Sequence, residues 1–192
     1  MQELKLRPMT IEQYLEFTDT RPDDEKWELI EGEPVLSPSP SDFHQIIVGN
    51  LLVALARIRD ATGATWLTLP GVGTRVPISP NSLPEPDLMV KAEPATGSRI
   101  SSEALVLFEI LSPSNRKADQ EWRHRVYSSV PNCQHYVTVS QSRAQIVRFD
   151  RTSDWKGTTI KGLDGTLELA ALKGGIPLDA IYRDTAVSRK TP

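Results

Sequence analysis

The chain has 192 residues, a formal charge of −3, and hydrophobic and charged fractions of 39% and 24%. That length fits one domain with a sizeable core, and the acidic balance excludes a protein coated in basic surface while leaving room for a local basic groove. A single cysteine, Cys133, excludes an internal disulfide or a multi-cysteine zinc site and fits a reducing cytoplasm.

The first residues, Met1 to Lys5, lack a signal-peptide pattern, and no run approaches the length of a membrane-spanning helix. A cytoplasmic protein with no membrane partner is expected. Thr10 to Gln13 has the form of a capping box, and Tyr14, Leu15 and Phe17 continue it as a short amphipathic helix. After the linker Thr20–Asp24, Trp27 to Leu36 reads as two short strands around a turn at Glu31–Gly32. Trp27, Leu29 and Val35 are expected on one side, with Glu28 on the other. The loop Ser37–Pro40 is rigid. A second helix is predicted from Ser41 to about Ala61, stopped by Gly63; Ile47, Leu51, Leu55 and Ile58 form its buried stripe, and His44 lies one turn upstream.

Ala64–Pro70 and Gly73–Ser79 are strand-like. The loop Asn81–Pro86 delivers Asp87 to a short apolar strand, Leu88–Val90, and Glu93 to Ser102 is loop-like. Ala104 to Leu111 then reads as a strand buried on both faces. A helix is predicted from Ala118 to Ser129, paired strands over Gln134–Ser140 and Ala144–Asp150, further strand character over Gly157–Leu169, and a closing segment at Ile176–Tyr182. Helices interspersed with irregularly spaced strands predict a mixed α/β (α+β) sheet without the alternation of a doubly wound fold. One domain is expected over residues 1–187, followed by a disordered tail, 188–192.

The buried strand contains an acid. With a period of two, Glu109 shares a face with Leu105, Leu107 and Leu111, while Val106, Phe108 and Ile110 take the other. An ionised carboxylate there costs several kcal/mol unless a cation, a hydrogen bond or a metal compensates it. Asp87 opens the preceding confident strand. Adjacent strands lie about 5 Å apart, so facing carboxylates at these two positions are able to share a divalent cation; hard oxygen ligands favour Mg²⁺ or Mn²⁺. Such ions activate water toward phosphodiesters. The following helix adds Arg123 and Arg125, with Arg116 and Lys117 before it, as cations for a phosphate backbone or transition-state charge.

Pro86–Asp87, Glu109–Ile–Leu–Ser–Pro–Ser114, and Asp119 with a basic residue four positions later resemble the Uma-type restriction endonuclease family of the PD-(D/E)xK phosphodiesterase superfamily. The resemblance extends to Met9–Tyr14, Glu28–Glu33, His44 with Val48–Leu51, Val130–Pro131 and His135–Gln141. It implies a restriction-endonuclease-like core with flanking helices and additional antiparallel strands. It also implies Asp87, Glu109 and the Ile110 carbonyl as metal ligands, and Glu28 as the first acid of the motif. The superfamily carries a lysine two residues after the second acid; here that position is Leu111. In the Uma-type branch the lysine moves to the next helix, where this sequence has Arg123. Arginine clamps a phosphate but is not a general base. Lys117 or Lys91 are candidates to supply the missing amine.

The expected function is a metal-dependent DNA endonuclease. Asp87 and Glu109 bind Mg²⁺ or Mn²⁺, Arg123 stabilises the transition state, and His44 and Glu28 position water or metal. By analogy, two strands are cut by a homodimer. The alternative is a catalytically weak or inactive nucleic-acid-binding or interaction protein that retains the nuclease fold. Each residue also has a plainer reading: a structural ion pair with Arg123 or Arg125 for Glu109, a strand-end residue for Asp87, a solvated strand residue for Glu28 and a helix-capping residue for His44. Asp119 is read as a helix N-terminal acid, and His124, His135 and Cys133 as structural.

Overall fold

A computed structural model describes residues 8–22, 24–92, 94–112 and 115–188. The expected signal-free start and all of the expected tail but Ser188 lie outside them, as do Pro113 and Ser114 of the motif.

Helix α1 (Ile11–Thr18) begins with the capping box read from the sequence: the Gln13 N–H donates to Thr10 Oγ1 at 3.3 Å, and the Thr10 N–H donates to Gln13 Oε1 at 2.9 Å. Strands β1 (Trp27–Ile30) and β2 (Glu33–Leu36) form a hairpin. Its two turn residues, Glu31 and Gly32, have φ of 50° and 86°, as a two-residue primed turn requires. A Cβ on Gly32 would stand 2.3 Å from the Pro8 side chain, so the position needs glycine for space as well as for φ. Helix α2 (Asp42–Thr62) runs from an N-cap at Ser41 to a left-handed Gly63.

Strands β3 (Leu67–Leu69), β4 (Gly73–Thr74), β5 (Leu88–Lys91), β6 (Ile100–Ser101) and β7 (Val106–Leu111) follow, then helix α3 (Lys117–Tyr127). Strands β8 (His135–Ser140), β9 (Gln145–Asp150), β10 (Gly157–Lys161), β11 (Thr166–Leu169) and β12 (Gly174–Pro177), and the single turn α4 (Leu178–Ile181), complete the order. Six strands form a mixed sheet in the order β10–β9–β8–β7–β5–β3. Only the β7–β8 pair within it is parallel, because α3 carries the chain back across the sheet between them. The predicted strand character of Gly157–Leu169 divides: β10 extends the main sheet, whereas β11 pairs with β12.

The alternation expected for β7 sets the two layers. Val106, Phe108 and Ile110 join Leu88 and Val90 in a core closed by Ile47, Leu51 and Leu55 of α2. Leu107 and Met89 face the other way, against Val126 and Tyr127 of α3. Leu105 departs from the predicted face. It lies outside the strand and packs with the α2 layer. The hairpin also differs from expectation. Glu28 stands directly across from Val35, so these two share a face, and Val35 is exposed while Glu28 is buried. Leu29 instead packs with Ile11 and Tyr14 of α1 and with Leu83. No helix among the described residues is long and apolar enough to cross a membrane.

Candidate active site

Strand pairing brings the two acids together. Leu88 faces Phe108 across the antiparallel β5–β7 ladder, and one step further the same register sets Asp87 opposite Glu109. Pro86 ends the ladder at this point. Two steps beyond Leu88 it stands opposite Ile110 and has no N–H to donate. That leaves the Ile110 carbonyl without a ladder donor from Pro86, while the Ile110 N–H donates to Asp87 Oδ2, at 2.8 Å. In an extended strand the N–H and C=O of one residue point to the same edge, so the Ile110 carbonyl looks toward the same side as Asp87.

Glu28, His44, Asp87, Glu109, Ile110 and Arg123, the six residues singled out in the sequence, all line one cavity of about 540 Å³. Glu28 is 4% exposed, which overturns its reading as a solvated strand residue. It is buried because Arg123 meets it: Nη1 donates to Oε1 at 3.0 Å and Nη2 to Oε2 at 2.7 Å, a two-pronged carboxylate grip. The Glu85 N–H donates to Glu28 Oε1 at 2.7 Å and Ser37 Oγ to Oε2 at 3.3 Å. Burial alone would raise the pKa of Glu28, but Arg123, the Glu85 N–H and Lys26 hold it below its ordinary value.

Glu109 also reaches Arg123, accepting from Nη1 at 3.0 Å, and accepts from Tyr127 Oη at 2.9 Å; both bonds fall on Oε1. The counter-charge expected for this acid is therefore Arg123, and not Arg125, which is exposed and lies 3.9 Å from Glu31. Burial pushes Glu109 up to about 8 despite Arg123, with Asp87 and Glu28 adding to the rise. Asp87 is held below its ordinary value against burial by His44, Lys26 and the Ile110 N–H. The His44 Nε2 atom is 3.2 Å from Asp87 Oδ2, while its buried Nδ1 has no hydrogen-bond partner among the described residues. The Ser41 side chain, not His44, caps α2.

Three participants, Tyr127, Glu85 and Lys26, were not singled out in the sequence, and a fourth, Asp119, was read there as a helix N-terminal acid. Tyr127 and Asp119 lie one helical turn either side of Arg123, a spacing that puts all three on one stripe of α3; Asp119 accepts from Arg123 Nε at 3.3 Å. Glu85 and Lys26 each sit two residues before a recognised acid, in loops where no periodicity marks which way a side chain points. The Lys26 Nζ atom is 3.7 Å from Asp87 Oδ1 and 3.9 Å from Glu85 Oε1. The two amines considered as substitutes are elsewhere. Lys117 is exposed and paired with Glu121, and Lys91 is at the far end of β5 from Asp87. His124, His135 and Cys133 are likewise apart from the cavity: His124 bonds the Trp155 carbonyl, His135 bonds Asp150, and Cys133 is buried.

The donor set suits a hard divalent cation. No three His, Cys, Asp or Glu side chains among the described residues form a metal-binding group. What converges is two carboxylates, Asp87 and Glu109, and a main-chain carbonyl, Ile110. Mg²⁺ is commonly held by one or two carboxylates with water and substrate oxygens completing its shell. The deep placement of Glu109 also calls for positive charge beyond what Arg123 supplies, since Arg123 is shared with Glu28 and Asp119.

No curated protein matches the chain. Among solved structures it is similar to a protein described as a putative nuclease belonging to DUF820 from Anabaena variabilis ATCC 29413. The TM-score is 0.73 at 12% identity, over 91% of this chain and 98% of that one, a likeness of fold. The family model Uma2, described as "Putative restriction endonuclease", matches residues 11–180, and the chain belongs to that family.

Proposed function

We propose that the protein is a metal-dependent phosphodiesterase that cleaves DNA. The observation that carries this reading is the register of β5 and β7, which sets Asp87 opposite Glu109 in one cavity with Arg123. Asp87, Glu109 and the Ile110 carbonyl would hold Mg²⁺ or Mn²⁺. When bound, such an ion supplies Lewis-acid activation of water and charge for the phosphate.

The chain's own residues hold this arrangement in place. The Ile110 N–H and His44 Nε2 both meet Asp87 Oδ2 and fix the carboxylate's orientation. Tyr127 and Arg123 bind Glu109 through Oε1, which leaves Oε2 as the atom for a cation. Glu28 anchors Arg123 from the hairpin, so β1 and α3 cannot drift apart without breaking a buried ion pair. A reducing cytoplasm, and a homodimer with one site per DNA strand, belong to the same reading.

A second reading has one observation in its favour. Arg123 already neutralises Glu28 and Glu109, so the acids are partly compensated without any ion. On that reading the protein binds nucleic acid or a partner and retains the nuclease fold without turnover. Nicking of supercoiled plasmid in Mg²⁺ or Mn²⁺ separates the two, with Asp87→Ala and Glu109→Ala as controls. Cleavage that needs the metal and is lost in both variants is expected. Absence of metal-dependent cleavage, or equal cleavage by all three proteins, rejects the enzyme.

A further inference from the structure

Two cations reach the acid cluster, and their hydrogen-bonding capacities differ. A guanidinium has five N–H groups. In Arg123 the Nε–H goes to Asp119, Nη1 serves Glu28 and Glu109, and Nη2 serves Glu28, all within 3.3 Å. One N–H is left over, on a side chain that is 12% exposed. Three carboxylates surround this single positive charge. Little of its field or donor capacity remains for an incoming anion.

Lys26 is different. Its side chain is 34% exposed, and its nearest carboxylate oxygens, at 3.7 and 3.9 Å, are beyond hydrogen-bond length. Among the described residues its ammonium donates no hydrogen bond, and it stands on the cavity wall beside Asp87 and Glu85. Its position adds a second argument. Lys26 lines the acid cavity and also an adjoining one of about 410 Å³, walled by Tyr14 and Trp27 among others. A chain of phosphates laid along both cavities passes Lys26 where the two meet.

We infer that Lys26, and not Arg123, is the side chain that contacts the phosphate of the substrate, Arg123 being a positioning residue for Glu28 and Glu109. This rests on the phosphodiesterase reading above. An ammonium on a non-bridging phosphate oxygen neutralises part of the charge that builds in the transition state, a task that needs a protonated amine and no proton transfer. It also explains how the site works with Leu111 and Arg123 at the positions where a lysine was sought.

The test combines binding with turnover. Binding of a short fluorescein-labelled DNA duplex is followed by anisotropy across a salt series, with Ca²⁺ in place of Mn²⁺, for wild type, Lys26→Ala, Lys26→Gln, Lys26→Arg and Arg123→Lys. Loss of one phosphate contact reduces the salt slope by about 1. That reduction is expected in Lys26→Ala and Lys26→Gln, with the slope kept in Lys26→Arg and Arg123→Lys. Plasmid cleavage in Mn²⁺ should fall about 100-fold in Lys26→Ala and recover in part in Lys26→Arg. Thermal melting identifies any variant that fails to fold, and Lys26→Gln decides the matter if Lys26→Ala does so. If wild type cleaves and neither neutral Lys26 variant changes slope or rate, the inference about Lys26 is overturned while the enzyme stands. If wild type binds without cleaving and Lys26→Ala still loses slope, the enzyme reading fails and the phosphate contact stands. No binding by wild type overturns both.

Discussion

Arg123 on α3 grips Glu28 on β1, 95 positions away in sequence, through paired bonds of 3.0 and 2.7 Å. The pair closes one wall of the acid cavity and is buried on both sides. Glu28→Gln removes the forked carboxylate and leaves Arg123 to Glu109 and Asp119, so it should lower stability by about 1–3 kcal/mol. Urea denaturation measures it. The double variant Glu28→Gln/Arg123→Met should recover part of that loss, because the guanidinium is removed together with its forked partner, leaving only Glu109 and Asp119 short of a counter-charge. A double variant less stable than Glu28→Gln would show that Arg123 is held by Glu109 and Asp119 alone.

Arg123→Lys puts an amine where the family resemblance looks for one. A lysine cannot reproduce the fork to Glu28 while also reaching Asp119 and Glu109. The expected outcome is a loss of about 1–3 kcal/mol in urea melts and no gain in plasmid cleavage. A variant that cuts faster than wild type would return Arg123 to the position of the substrate-contacting cation.

Much of this site was legible in the sequence, and what was hidden follows a pattern. Period-two alternation over an apolar run assigned Glu109 a face, and the register of two short strands gave it Asp87 as a neighbour. The capping box of α1 and the Ser41 and Gly63 limits of α2 are local signals, and they were readable for that reason. Glu28 was harder. It lies in a four-residue strand whose two faces are both covered, one by α1 and one by the acid cavity, so alternation carried no sign of which side was wet. Lys26 was beyond reach: it precedes the strand, and only the fold brings it to Asp87.

If Asp87 and Glu109 hold a divalent cation, Mn²⁺ should raise the melting temperature even without DNA. At an ion concentration a hundredfold above Kd the gain is about 3 kcal/mol. Asp87→Ala and Glu109→Ala should each abolish the response to Mn²⁺, whatever they do to baseline stability, whereas Lys117→Ala should keep it. A Mn²⁺ shift that persists in both acid variants would place the ion elsewhere.

Cys133 gives a prediction that needs no substrate. The thiol is fully buried, and burial pushes its pKa up to about 12, with Arg151 pulling weakly the other way. Thiolate is the reactive form, so at neutral pH a disulfide reagent such as DTNB should not react with the folded protein and should react fully in urea. Fast reaction under native conditions would mean that the layer of α3 opens readily.

His135 and His44 provide the sharpest contrast between structure and site. The Ala171 N–H donates to His135 Nε2 at 3.2 Å, which puts the ring proton on Nδ1, facing Asp150 Oδ1 at 2.6 Å. Arg148 takes the other Asp150 oxygen at 2.9 Å and donates to the Glu168 carbonyl at 2.6 Å. This cluster fastens β8 and β9 to the segment leading into β12, and both ring nitrogens of His135 are engaged. His44, with Nε2 against Asp87 and Nδ1 unpartnered among the described residues, lines the acid cavity. His135→Ala should therefore cost about 1–3 kcal/mol in urea melts and leave cleavage per folded molecule unchanged. His44→Ala should reverse that order, with a small change in stability and a loss of cleavage of tenfold or more, as expected when an acid loses its orienting partner. Equal effects of the two substitutions on cleavage would remove His44 from the site.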